Sequence, residues 1–229
     1  MRLPNMVSDS AVSAGVDPIM SELAKRTFAG IVMILVALAA AVVGGYPFAI
    51  LVAAAGGMMF YEWSRIVRGW GLHWMVAGFL YALLPSVALL WIRERGPHKL
   101  EMLIWVFIIT WSTDIGAYFA GRAIGGPKLA PTVSPNKTWA GLIGGMIAAA
   151  VLGGAWVLFF DLPRLLLLLA PLFALGAQIG DLSESGLKRR AGVKDSGTWL
   201  PGHGGALDRL DGLVVVALLT ACYELAIAQ

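Results

Sequence analysis

Seven apolar runs dominate this chain, at roughly 26–43, 46–62, 73–92, 101–121, 138–160, 164–182 and 208–228. A helix needs about 20 apolar residues to cross a hydrocarbon core about 30 Å thick. Water is absent from that core. Each segment must therefore satisfy its own backbone N–H and C=O groups, which a helix does and an open sheet does not. The expected fold is all-α: a polytopic integral membrane protein of about seven transmembrane helices, within a range of about six to eight. Composition agrees, because only 14% of residues are charged, against about 25% in a soluble domain. The net charge of +3 is too small to imply nucleic acid as a partner.

Residues 1–22 are polar and mixed, and lack the basic start and short apolar core of a cleaved signal peptide. They read as a cytoplasmic tail. Gly44, Gly45, Tyr46 and Pro47 form a tight reversal, so the first two runs should make a hairpin. Gly141, Gly144, Gly145, Gly153 and Gly154 give the fifth run a small face against which another helix can pack. The single Cys222 excludes an intramolecular disulfide and reads as a small core residue. With the N-terminus inside, the cytoplasmic segments hold Arg2, Lys25, Arg26, Arg65, Arg68, Arg122, Lys128, Lys137, Lys188, Arg189, Arg190, Lys194 and Arg209, which is 13 of the 17 basic residues. The outer loops hold Arg93, Arg95, Lys99 and Arg164, the remaining 4. That asymmetry obeys the positive-inside rule and puts the polar motifs on the cytoplasmic side.

The densest of those motifs runs from Gly180 to Asp211. Asp181, Ser185 and Lys188 are spaced i, i+4, i+7 and share a helix face; Asp208 and Asp211 are spaced i, i+3 and share another. A carboxylate near lipid is costly unless a metal, a cation or water compensates it. Carboxylates on two converging helix ends suit Mg²⁺, which takes hard oxygen ligands and keeps positions free for phosphate and water. Lys188, Arg189, Arg190 and Lys194 form a basic cluster, which reads as a polyphosphate clamp or a headgroup anchor. Lys188 shares the Asp181 face and is favoured for the site, and Arg190 is left to the surface. His203, Gly204 and Gly205 lead into a helix start, where close backbone approach favours an anion. Asp114, Tyr118 and Arg122 make a stripe on the fourth run. Lys137 and Thr138 stand where the chain enters the fifth.

Together these residues resemble the phosphatidate cytidylyltransferase family, also called CDP-diacylglycerol synthases. The C-terminal signature of that family is matched by Ser185, Leu187, Lys188, Arg189, Lys194, Asp195, Gly197, Leu200, Pro201, His203, Gly204, Gly205, Asp208, Arg209, Leu210 and Asp211. Ala206 departs from it, standing where a larger aliphatic residue is usual, at a packing position. Asp114, Tyr118, Gly121 and Arg122 match a second motif, and Ser134, Pro135, Lys137, Thr138 and Gly141 a third.

The resemblance implies conversion of CTP and phosphatidate (phosphatidic acid, a membrane lipid) to CDP-diacylglycerol and pyrophosphate. It implies Mg²⁺, with K⁺ as a candidate second ion, and a homodimer in the bacterial inner membrane with the site facing the cytoplasm. On this reading Asp181, Asp208 and Asp211 bind metal and form the catalytic set with Ser185 and Lys188, which hold phosphates. Asp114, Tyr118, Arg122, Ser134, Lys137, Thr138, Arg189, Lys194, Asp195, His203, Gly204, Gly205 and Arg209 hold substrate. The organisation expected is a tail over 1–24, N-terminal membrane helices over 25–100, and a catalytic membrane domain over 101–229 with a signature loop over 181–211. A CDP-alcohol phosphotransferase is the alternative, but Asp211 and Gly212 are not followed by the Ala-Arg pair of that motif. A transporter would place its polar groups at mid-membrane rather than at one side.

Overall fold

The apolar runs fold into helices whose ends are set by glycine, proline and charge. The computed structural model describes residues 18–95, 97–197 and 204–227. His203, Leu200 and Pro201 of the signature lie outside the described residues, as do Arg2 and residues 1–17 of the tail. The helices are α1 (Pro18–Val43), α2 (Gly45–Ile66), α3 (Leu72–Glu94), α4 (Lys99–Ala123), α5 (Trp139–Phe159), α6 (Leu165–Arg190) and α7 (Leu207–Ile227). Between α4 and α5 stands an antiparallel pair of short strands, β1 (Lys128–Ala130) and β2 (Ser134–Thr138), with Lys128 opposite Thr138 and Ala130 opposite Ser134. The described residues are therefore all-α apart from that hairpin. Among the described residues five helices, α3 to α7, are long and apolar enough to cross a membrane, and α1 carries a shorter apolar stretch, Thr27–Val43.

Only Gly44 separates α1 from α2, with φ 68, a left-handed conformation that a side chain would strain. The predicted hairpin is present, and α3 ties its turn down. Arg93 donates through Nε to Ala41 O (2.6 Å) and through Nη2 to Val42 O (3.0 Å), satisfying carbonyls left free at the end of α1. Gly45 N–H donates to Glu94 Oε1 at 2.7 Å.

The small face of α5 packs on α4 as its glycines require. A Cβ at Gly144 would stand 2.2 Å from Ala120 Cβ, and one at Gly145 would stand 2.8 Å from Thr113 O. The main core lies between α4, α5, α6 and α7 around Trp105, Ile109, Leu166, Ala170, Phe173 and Ala217. A smaller cluster of Met59, Trp63, Leu187, Ala206, Leu207 and Val214 seals the other end of the bundle. Ala206 is thus a packing residue. Cys222 is exposed on α7, not in the core: Ala221 beside it turns inward, and one residue further round the helix faces out.

Candidate active site at one end of the bundle

α6 does not stop at the edge of its apolar run but continues to Arg190, so the first third of the charged stretch is helical. This puts Asp181, Ser185 and Lys188 on one face, and Ser185 Oγ donates to Asp181 Oδ1 at 3.3 Å. α7 crosses α6 in contact at Gly180, where a Cβ would stand 2.7 Å from Asp211 O. Only glycine allows that approach, and it brings Asp181 and Asp211 together. Asp211 feels the negative charges of Asp181, Glu184 and Asp114. Asp114 from α4 in turn feels Asp181, with Lys137 and Arg209 as nearby cations.

β2 delivers Lys137 to this acidic group. Its ammonium pairs with Asp181 and donates to Gln178 Oε1 at 3.0 Å. Thr138 ends the strand and caps α5, its Oγ1 accepting from Gly141 N–H at 3.0 Å. Asp114, Tyr118, Arg122, Lys137, Thr138, Gln178 and Asp181 line one cleft of ≈ 620 Å³. At its mouth the exposed Arg122 donates through Nη1 to Tyr118 Oη at 2.8 Å. Three separate segments that the sequence marked out thus meet around a single space.

A second set of acids lies beside the first and has different surroundings. Lys188 bridges Glu184 Oε2 (2.9 Å) and Asp208 Oδ1 (2.6 Å). Asp208 Oδ2 accepts from Ser196 N–H and Gly205 N–H, each at 3.0 Å. Asp208 therefore closes the turn ahead of α7, while Asp211 lies within electrostatic reach of Asp181. Behind that turn is Glu62 of α2, with 0% exposure. Glu62 Oε1 accepts from Ala206 N–H (3.0 Å), and Oε2 from Leu207 N–H (2.8 Å) and Ser196 Oγ (2.9 Å). These amides at the start of α7 have no partner within their own helix, and a carboxylate there also complements the helix dipole. Glu62 explains two signature glycines: a Cβ at Gly197 or Gly205 would stand 2.5 Å from one of its oxygens.

The remaining expected residues lie around this core. Gly204, with φ 82, abuts Asp208. Arg189 donates to Val133 O and Val193 O, each at 3.3 Å, joining α6 to the hairpin and to the loop after it. Lys194, Asp195 and Arg209 are exposed, and Ser134 sits at the strand end farthest from α5. Glu62 and Gln178 were not among the residues expected from sequence. Glu62 carried a usable signal, being a carboxylate inside an apolar run.

The cytidylyltransferase family profile matches residues 69–226. The chain belongs to the cytidylyltransferase family. The phosphatidate cytidylyltransferase of Brucella suis biovar 1 is 39% identical over 254 aligned positions, spanning 87% of this chain and 92% of that protein. The phosphatidate cytidylyltransferase of Haemophilus influenzae is 47% identical over 124 positions, covering 51% of this chain and 43% of its own length. That of Staphylococcus saprophyticus is 41% identical over 134 positions, covering 57% and 52%. In this member of the cytidylyltransferase family, the matched span includes the whole acidic cleft and the signature turn, and Glu62 reaches that turn from α2, outside the span.

Proposed function

We propose that this chain transfers the cytidylyl group of CTP to phosphatidate, giving CDP-diacylglycerol and pyrophosphate. The observation that carries this reading is the cleft that joins Asp114, Arg122, Lys137 and Asp181, formed in a chain of this family from three motifs far apart in sequence. A phosphate oxygen of phosphatidate attacks the α-phosphorus of CTP, and the bond from that phosphorus to the oxygen leading to the β-phosphate breaks. Pyrophosphate leaves with the electron pair. The attacking phosphate is already ionised, so no strong base is needed. The barrier lies in bringing two polyanions together, and electrostatic positioning lowers it.

The donor set fits Mg²⁺. Asp181 and Asp211 present hard oxygens at a helix crossing, with Asp114 within electrostatic reach, and Lys137 is a cation paired with Asp181. Mg²⁺ uses one or two carboxylates and takes its other ligands from phosphate and water. When bound there, the ion neutralises charge on the phosphates. Lys137 and Arg122 orient the nucleotide phosphates from two sides of the cleft. Lys188, clasped between Glu184 and Asp208, holds the signature turn in place.

The proposal includes seven membrane crossings, with α1 and α2 as a transmembrane hairpin, in the bacterial inner membrane with the cleft facing the cytoplasm. The 13 to 4 distribution of basic residues supports that orientation. A homodimer is proposed on the family resemblance. The deciding experiment incubates purified protein with phosphatidate and labelled CTP in mixed micelles, with and without Mg²⁺. Label is expected in a lipid product only with the metal; no labelled lipid under either condition would refute the reading. Single cysteines at 194 and 164, in a Cys222→Ser background, test the orientation in intact cells. An impermeant maleimide should label 164 and spare 194, and the reverse pattern would invert the topology.

A further inference from the structure

Between α6 and the α2–α3 pair lies a second cavity of ≈ 390 Å³, walled by Trp63, Trp74, Tyr81, Glu184, Leu187 and Arg190. Two buried polar atoms at this cavity, Glu184 Oε1 and Tyr81 Oη, have no hydrogen-bond partner among the described residues. Glu184 is only 3% exposed. A buried polar atom left unpaired costs about 1–3 kcal/mol, so two in one cavity point to an occupant that pairs them. Two of the cavity's donors are committed: Trp63 Nε1 donates to Trp74 O (2.8 Å) and Ser183 Oγ to Ile179 O (2.7 Å). What the interior offers is aromatic faces, a carboxylate oxygen and a phenol oxygen, with a guanidinium at the rim. Arg190 lies over the rings of Trp70 and Trp74, 4.9 and 5.2 Å from their centroids.

The charges indicate what fits. Glu184 and Asp208 bring two carboxylates to the single ammonium of Lys188, an excess of carboxylate over cation within that trio. A cation with N–H donors balances it, and aromatic faces favour the same ligand. A phosphate placed inside would meet Glu184, whereas one at the rim would meet Arg190. A quaternary ammonium has no N–H for the two open acceptors. We propose that this cavity seats the head group of a phospholipid bearing a primary ammonium. The ammonium donates to Glu184 Oε1 and Tyr81 Oη between Trp63 and Trp74, and the lipid phosphate faces Arg190. The bound lipid braces Glu184, and through it the Lys188–Asp208 pair, without entering the reaction.

The test uses the full-length protein in detergent, with bound lipid counted by native mass spectrometry. Phosphatidylethanolamine competes against phosphatidylcholine, phosphatidylglycerol and phosphatidate of identical acyl chains. Retention of phosphatidylethanolamine should exceed that of phosphatidylcholine by about tenfold, the value of one or two hydrogen bonds to a charged group. Tyr81→Phe and Trp74→Leu should each reduce that preference severalfold and leave phosphatidylcholine binding unchanged. Equal retention of the two lipids by the unmodified protein would overturn the proposal and leave the cavity to water. Preferential retention of phosphatidate would overturn it in favour of the anionic lipid. A preference undiminished in both variants would overturn the assignment to this cavity.

Discussion

Glu62 and Asp208 differ from Asp181 and Asp211 in one respect that matters more than burial: how many donors their oxygens already have. Glu62 accepts from two amides and a hydroxyl; Asp208 accepts from two amides and Lys188. Among the described residues Asp181 has a lysine and a long bond from Ser185, and Asp211 has the amide of its neighbour Gly212. Buried charge is tolerated when it is fully hydrogen-bonded, and such a group holds structure. Carboxylates crowded together with few donors raise one another's energy and are relieved by a cation. The same helix ends thus carry a saturated set that fixes the signature turn and an unsaturated set of which Asp181 lines the cleft. Two consequences should separate them: saturated acids should fail in stability, unsaturated ones in turnover.

The largest effect is expected at Asp181. Asp181→Asn keeps the shape and removes the charge, so turnover should fall by about 10²–10³-fold, the size seen when one electrostatic element of a reaction site is lost. The melting temperature in detergent should hold, because a repulsion is removed along with the Lys137 pair. Near-normal cytidylyl transfer by this variant would end the cleft's claim to the chemistry.

Glu62→Ala should do the opposite. Three buried donors lose their acceptor, and breaking such a buried arrangement costs about 3 kcal/mol. Chemical denaturation or thermal unfolding in detergent should report the loss, and Glu62→Gln, which keeps one carbonyl oxygen, should recover part of it. An unchanged stability with lost activity would move Glu62 from the saturated set to the other.

Gly180→Val probes the join between the sets. The added carbons collide with the backbone at Asp211 and separate α6 from α7. A displacement near 1 Å at a reacting site costs about 10²-fold in rate. Activity should fall by that order while the signature turn keeps its stability, measured as above.

Much of this arrangement is legible in the chain, and the illegible part has a physical pattern. The apolar runs give five helices, α3 to α7, long and apolar enough to cross a membrane, because length and composition are local properties. The i, i+4, i+7 spacing places Asp181, Ser185 and Lys188 correctly on one face for the same reason. The spacing of Asp208 and Asp211 does not reveal that their oxygens serve different partners, since that depends on which neighbour meets each turn of α7. Glu62 is invisible as a cap because its partners lie 134 to 145 residues away. The strand pair escapes notice because β1 has 3 residues and β2 has 5, one of them Pro135, too short for an alternating pattern to register.

The smallest expected effect belongs to Arg122, at the open edge of the unsaturated set. Its guanidinium is exposed, steadied by the hydrogen bond to Tyr118 and lying 6.0 Å from the centre of that ring. An arginine at the rim contacts an incoming triphosphate equally before and during phosphorus transfer. Interactions of equal strength in ground and transition states change KM and leave kcat alone. Arg122→Ala should therefore raise the KM for CTP by about tenfold at unchanged kcat, close to 1.4 kcal/mol of binding. Arg122→Lys should recover only part of this, because lysine keeps the charge without the planar fork that grips two phosphate oxygens. Tyr118→Phe should cost less again, since it only frees the guanidinium to wander. A fall in kcat with KM preserved would place Arg122 against the reacting phosphorus and draw the boundary of the working set further toward the rim.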